Sequence, residues 1–237
     1  MLVVENVRFS YGDKEVLKGI SFELQKGEIA SLVGANGSGK TTLIQNILNI
    51  LIPSSGSISI NGLSNNDVNS LKNIVYISGN DYLPNFLTGM EYIELLFDMY
   101  RSKLDREKLD RMLEYYALND FIHKNIENYS HGMKKKLQII SALVINPEII
   151  IVDETLNGLD IVSREITKSL FNQFITNEKS ILLCTHDFSL VEELKSRAIF
   201  INDGIIKYDS LEYLKKGESL SKIFYDIILK DDKSYVL

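Results

Sequence analysis

Short apolar runs broken by turn residues open the chain. Residues 2–11 and 16–24 are predicted strands, joined by a turn at Gly12-Asp13. The stretch EIASLV, 28–33, is a third short apolar run and ends in a glycine-rich turn. Leu43, Ile44, Ile47, Leu48 and Leu51 then fall on a helical stripe that stops before Pro53. SGSISING alternates as an edge strand does, and residues 75–77 form another short strand.

From Thr88 to about Asn146 strand runs vanish and charges rise. Leu109, Met112, Leu113 and Tyr116 lie at i, i+3, i+4 and i+7, which predicts a helix with one buried face. This segment reads as a mostly helical subdomain inserted into an α/β core. Beyond it come strands at 149–152 and 181–184, separated by a helix over about 161–175. That alternation implies parallel strands with helical crossovers. Asn202-Asp203-Gly204 predicts a tight hairpin between AIFI and IIKY, and the tail from Leu211 reads as helical.

The bulk numbers narrow the class. With 237 residues, 45% of them hydrophobic, the chain can bury one sizeable core. A net charge of −6 argues against a broad nucleic-acid footprint. The single cysteine, Cys184, excludes an intrachain disulfide and suits a reducing compartment. The opening MLVVENVRF predicts a strand rather than a signal peptide. No apolar run approaches bilayer-spanning length, so a role at a membrane requires a membrane part from another chain.

GANGSGKT, residues 34–41, has the spacing G-x-x-x-x-G-K-[ST], after a predicted strand and at the start of a predicted helix. Glycines at Gly37 and Gly39 let the backbone turn its amides inward. Those amides, from Gly34, Ala35, Asn36, Gly37, Ser38 and Gly39 through to Thr42, form with the following helix end a cradle for anionic phosphates. Lys40 supplies a point charge to the β- and γ-phosphates, and the Thr41 hydroxyl suits Mg²⁺. The loop therefore predicts a phosphate-bearing ligand with Mg²⁺.

EIIIVDET places Asp153 and Glu154 after four consecutive apolar residues. Acids at the end of a buried strand need partners. Asp153 is placed to hold a phosphate-bound Mg²⁺ through water, and Glu154 to orient or deprotonate an attacking water. The alternative is a strand-end acid that caps the next helix.

Phosphate loop, acidic pair, SHGMKKK and a late histidine stand in the order that resembles the nucleotide-binding subunit of ATP-binding cassette (ABC) transporters, over essentially residues 1–210. The resemblance implies an α/β fold: a P-loop NTPase core with a mostly parallel sheet, an N-terminal antiparallel β region and the helical subdomain at about 88–146. Residues 211–237 would follow as a helical tail. It implies that Tyr11 stacks on adenine, that His186 in LLCTHD senses the γ-phosphate, and that Asp160 belongs to the loop after the acidic pair. A strand-end aromatic, a structural histidine and a helix cap are the plainer alternatives for these three. Ser130 and Gly132 match the family signature, which acts on the γ-phosphate of ATP bound in a partner subunit. Ser130 also suits a helix N-cap by itself. His123 and His131 have no matching role and read as surface residues, and a solvated face accounts for at least two of Lys134, Lys135 and Lys136.

The sequence departs from the family pattern at three places. The signature is Tyr129-Ser130-His131-Gly132-Met133, Gly79 or Asn80 stands where a glutamine is usual, and Thr155 where proline is usual. Gly-Met followed by basic residues resembles exporter ATPases for drugs, peptides and antimicrobials. The implied function is an ATPase that powers a separate membrane permease from the inner face of the cell membrane. It would pair with a second nucleotide-binding domain, identical or paralogous, and bind no nucleic acid. The apolar cluster in residues 82–91 is the expected permease contact, the alternative being that it folds back on its own subdomain. Rival readings are a soluble non-transport ATPase of the same type, a binding-only regulatory subunit, and a small P-loop kinase.

Overall fold

The structure, a computed structural model, describes residues 1–176, 178–210 and 219–231. Strands β1 (Leu2–Tyr11) and β2 (Lys14–Leu24) form an antiparallel hairpin. β4 (Ser55–Ile60) pairs with the other side of β1. The expected edge position of β4 is corrected here. Asn61 and Gly62 both take positive φ, so the chain doubles back and Leu63–Ser64 (β5) forms the edge instead. The order is β2-β1-β4-β5.

The second sheet has the order β10-β9-β3-β8-β7-β6. It comprises β3 (Ile29–Val33), β6 (Ile74–Ile77), β7 (Ile149–Asp153), β8 (Ser180–Thr185), β9 (Arg197–Asn202) and β10 (Ile205–Asp209). All neighbours are parallel except β9 and β10, which the Asp203-Gly204 hairpin joins antiparallel. Every residue of β3, β7 and β8 is buried, as a parallel sheet covered on both faces requires.

Alternate residues of β7 face different layers. Ile149 and Ile151 pack with the first sheet and α1 (Lys40–Ile47), whereas Ile150 and Val152 pack with the helices of the other layer. α1 ends at Ile47, earlier than its apolar stripe suggested, because Asn49 adopts the left-handed region. After the short α2 (Val68–Leu71) and β6 come three helices: α3 (Gly89–Tyr100), α4 (Arg106–Tyr115) and α5 (His131–Ile145). Thr88 and Glu91 close a capping box at α3, and Leu109, Met112, Leu113 and Tyr116 of the α4 stripe are all buried. α6 (Ile161–Phe174) and α7 (Phe188–Glu193) complete the crossovers.

α8 (Leu220–Asp231) lies against the sheet edge, with Leu220 buried and Phe224 packed on Phe188 and Phe200 at ring-centroid distances of 4.9 and 5.4 Å. The remainder of the expected tail, 211–218 and 232–237, falls outside the described residues.

Candidate functional site

Parallel topology brings the carboxyl ends of β3, β6, β7 and β8 to one rim, where loops have room to form a crevice. β3 runs into the glycine-rich loop, in which Gly37 and Gly39 take φ of 83° and 108°, conformations that a side chain would strain. The loop leans on its neighbours. A Cβ at Gly34 would meet Ile201 O at 2.3 Å, and Gly204 N donates to Ser38 O at 3.1 Å. Lys40, only 5% exposed, curls back so that Nζ donates to Gly34 O at 2.7 Å and Ala35 O at 3.1 Å.

β7 delivers the two acids. Asp153 is 7% exposed; its Oδ2 accepts from Tyr76 Oη at 3.3 Å and stands 3.5 Å from Thr41 Oγ1. Burial raises the Asp153 pKa, and the Tyr76 hydrogen bond opposes the rise. Tyr76 is itself pushed up to about 12, by burial first and by the Asp153 charge second. Glu154 has a φ of 50°, and its N–H donates to Cys184 O at 3.0 Å. That turn swings the side chain off the strand line, so Oε1 lies 3.2 Å from His186 Nδ1 and 3.9 Å from Lys40 Nζ.

These groups border a cavity of about 940 Å³, within the range of small-molecule sites. Tyr11, Asn36, Gly37, Gly39, Lys40, Thr41, Thr42, Asp153 and Glu154 all line it. Tyr11 is half-exposed at the end of β1, edge-on to Phe9, with its hydroxyl 3.4 Å from Gln45 Oε1. Ser38 is buried, and its hydroxyl has no hydrogen-bond partner. The donors fit the expected ligands. The loop amides and Lys40 suit polyphosphate, and the Thr41–Asp153 oxygen pair suits a hard cation completed by phosphate oxygens. Among the described residues, no three His, Cys, Asp or Glu side chains gather as a self-sufficient metal site.

Ser130, Gly132 and Asp160 lie outside that lining. Ser130 caps α5, accepting from Met133 N at 3.3 Å. Asp160 caps α6, accepting from Ser163 N at 2.8 Å, and pairs with Lys136 at 2.9 Å. His186 is held by Glu154, and Gly34 and Ala35 by Lys40.

His131 is exposed, as expected of a surface residue, and it also borders the cavity, with Nδ1 2.9 Å from Asp81 Oδ2. One expectation needs correction. The lysine run is not a solvated face. Lys135 is 1% exposed, Lys136 pairs with Asp160, and Lys134 Nζ donates to Asn85 Oδ1 at 3.1 Å. The physical reason is that α5 packs across the sheet rim, so its first turns face loops rich in acceptors. Tyr76 and Gln45 escaped sequence reading altogether; only their places on β6 and α1 bring them to the site. A side chain at Gly79 has no room, since a Cβ there would meet Asp153 O at 2.8 Å. In the loop that follows, Tyr82 and Phe86 are 88% and 79% exposed, whereas Leu83 and Leu87 pack on the core. No helix among the described residues is long and apolar enough to cross a membrane.

Comparison with known proteins agrees with this geometry. A model of the ABC transporter family matches residues 17–157. The uncharacterized ABC transporter ATP-binding protein YdbJ of Bacillus subtilis is 34% identical over 87% of this chain and 68% of its own length. The zinc uptake system ATP-binding protein ZurA of Listeria monocytogenes is 32% identical over 87% of this chain and 84% of its own. A solved dimeric ATP-binding cassette, in a post-hydrolysis state with ADP and Pi, superposes with a TM-score of 0.77 at 26% identity. That match covers 88% of this chain and 97% of the solved one. The rival kinase reading falls with these matches: the chain belongs to the ABC transporter family, as an ATP-binding subunit with ATPase activity.

Proposed function

We propose that this chain powers a separate membrane permease, which it joins at the inner face of the cell membrane, and that transport is outward. The observation that carries the reading is the convergence of Lys40, Thr41, Asp153 and Glu154 on one cavity, with the capped start of α5 outside it. Residues 1–210 act as one ATPase unit, with the helical segment 88–146 inserted and 211–237 appended.

In that unit Lys40 exchanges its carbonyl partners for the β- and γ-phosphates, and the loop amides hold the rest of the polyphosphate. Thr41 and Asp153 hold Mg²⁺, which when bound offsets the charge of the transferred phosphoryl group. Tyr11 stacks on the adenine. Glu154 orients a water and takes its proton, and His186 links that carboxylate to the γ-phosphate. Two such units pair head to tail, so that Ser130 and Gly132 of each reach the γ-phosphate held by the other, with Asp160 beside the joint. The dimeric architecture of the superposed cassette supports the pairing.

Outward transport is supported by Gly132-Met133 followed by lysines. Import is the second reading, favoured by the likeness to a zinc uptake subunit. Co-purification from membranes tests for the permease. ATP-driven cargo accumulation in inside-out vesicles supports export, and ATP-driven loss of preloaded cargo from them establishes import.

A further inference from the structure

Lys135 has no place in the mechanism above, yet it is one of the most deeply buried charges among the described residues. A buried ammonium is unfavourable unless hydrogen-bonded. Its Nζ donates to Ser78 O at 3.2 Å and to Gly79 O, both in the turn that follows β6. Ser78 O has a second donor: Thr155 Oγ1, fully buried, lies 3.1 Å away. The same hydroxyl is 3.1 Å from Asp153 O. Two places where the sequence departs from the family pattern, the turn of Gly79 and Asn80 and the residue Thr155, therefore meet at one point, together with a lysine of the altered signature helix.

The consequence concerns Glu154. Gly79 packs so closely that its absent Cβ would fall 2.8 Å from Asp153 O and 3.9 Å from Glu154 Cβ. Glu154 itself holds a left-handed backbone, φ 50°, a strained state that persists only where neighbours enforce it. The turn after β6 is one such neighbour, and Lys135 and Thr155 both hydrogen-bond its carbonyls.

We propose that Lys135 and Thr155 are positioning residues for Glu154, acting through the shared Ser78 carbonyl and the Gly79 backbone. The link runs from α5, whose N-cap is Ser130, through the 78–79 turn to the end of β7. A main-chain clamp thus stands where the family's glutamine side chain is missing. This inference rests on the reading of Glu154 as the water-orienting carboxylate.

The test is steady-state ATP hydrolysis by the purified chain, beside ATP affinity by calorimetry, for Lys135→Met, Lys135→Gln, Thr155→Val and the Lys135→Met/Thr155→Val double variant. The expected result for Lys135→Met is a kcat loss of about tenfold or more with KM changed less than about threefold, since misplacement of a catalytic group affects turnover more than binding. Thr155→Val, which keeps the shape and removes the donor, should lower kcat by about threefold. Lys135→Gln retains an N–H donor without the charge and should recover part of the lost kcat. The double variant should be no slower than Lys135→Met, because both act through one carbonyl. Native kcat in Lys135→Met and Thr155→Val, or losses that multiply in the double variant, overturn the proposal. If Lys135→Met does not fold, native kcat in both Lys135→Gln and Thr155→Val overturns it equally. Glu154→Gln separates the two readings. Native turnover in Glu154→Gln defeats the role of Glu154 itself; a dead Glu154→Gln beside fully active Lys135 and Thr155 variants defeats only this inference.

Discussion

His186 Nδ1 lies 3.2 Å from Glu154 Oε1, so the residue that follows β8 is tied directly to the acid that follows β7. Lys40 Nζ stands 3.9 Å from the same oxygen. Glu154→Gln keeps the side-chain shape and removes the charge that receives the water proton. Turnover should fall by about a hundredfold or more while ATP affinity is retained. The variant should run as an ATP-dependent dimer on size exclusion. Hydrolysis at the native rate excludes Glu154 as the catalytic residue.

Lys40 is buried at the phosphate loop, where the Gly34 and Ala35 carbonyls and the more distant Glu154 carboxylate hold it. Lys40→Ala removes the charge-assisted partner of the polyphosphate, and ATP affinity by calorimetry should fall more than about tenfold. Unchanged affinity sinks the assignment of this loop to phosphate.

Ser130 caps α5 outside the cavity that Lys40 lines. Ser130→Arg should therefore leave ATP binding by the monomer nearly unchanged. In a Glu154→Gln background it should abolish the ATP-dependent dimer seen by light scattering, because the helix end can no longer approach a partner's nucleotide. Loss of monomer binding with an intact circular-dichroism spectrum contradicts action across the pair.

Phe86 and Tyr82 face outward while Leu83 and Leu87 anchor the same loop to the core. Phe86→Asp should uncouple transport from hydrolysis and leave basal ATPase in place, since only exposed surface changes. Loss of both activities together makes Phe86 a folding determinant instead.

The Asp160 carboxylate is held below its ordinary pKa, first by the Ser163 N–H and then by Lys136. A carboxylate depressed on folding stabilises the native state above its unfolded pKa, about 4, and that contribution is lost as pH falls through the lower folded value. Asp160→Ala should cost about 1 kcal/mol at pH 7 as a lost helix cap. The difference from the parent should shrink when urea unfolding is repeated below pH 4. A difference that does not change with pH means the carboxylate charge contributes nothing.

What the sequence disclosed follows the range of each interaction. The loop around Lys40 is legible because its function depends on consecutive amides. Asp153 and Glu154 are legible because four apolar neighbours make acids there conspicuous. The hairpin at Asp203-Gly204 is written in its own turn residues. KKK looks alike whether solvated or buried, and only the crossing of α5 over the end of β6 marks Lys135 as buried. The place of His131 and Tyr76 at the cavity is illegible for the same reason: Asp81 and Asp153, their partners, lie 50 and 77 positions away. The end of α1 was overrun because the apolar stripe continues past Asn49 as packed loop, with Leu51 still on the core.

Gly204 has a reach that extends beyond its own hairpin. Its N–H holds Ser38 O, and a Cβ on it would strike Val16 O at 2.1 Å, so the β9–β10 turn is wedged between β2 and the phosphate loop. The disorder that such a loop would have as a free surface segment is removed when the domain folds, before any nucleotide arrives. Binding then has little entropy left to remove from the backbone, and the association is correspondingly less opposed. The Gly204 amide, which donates to Ser38 O, should exchange with solvent on the slow timescale of the whole domain opening, even in the absence of ligand.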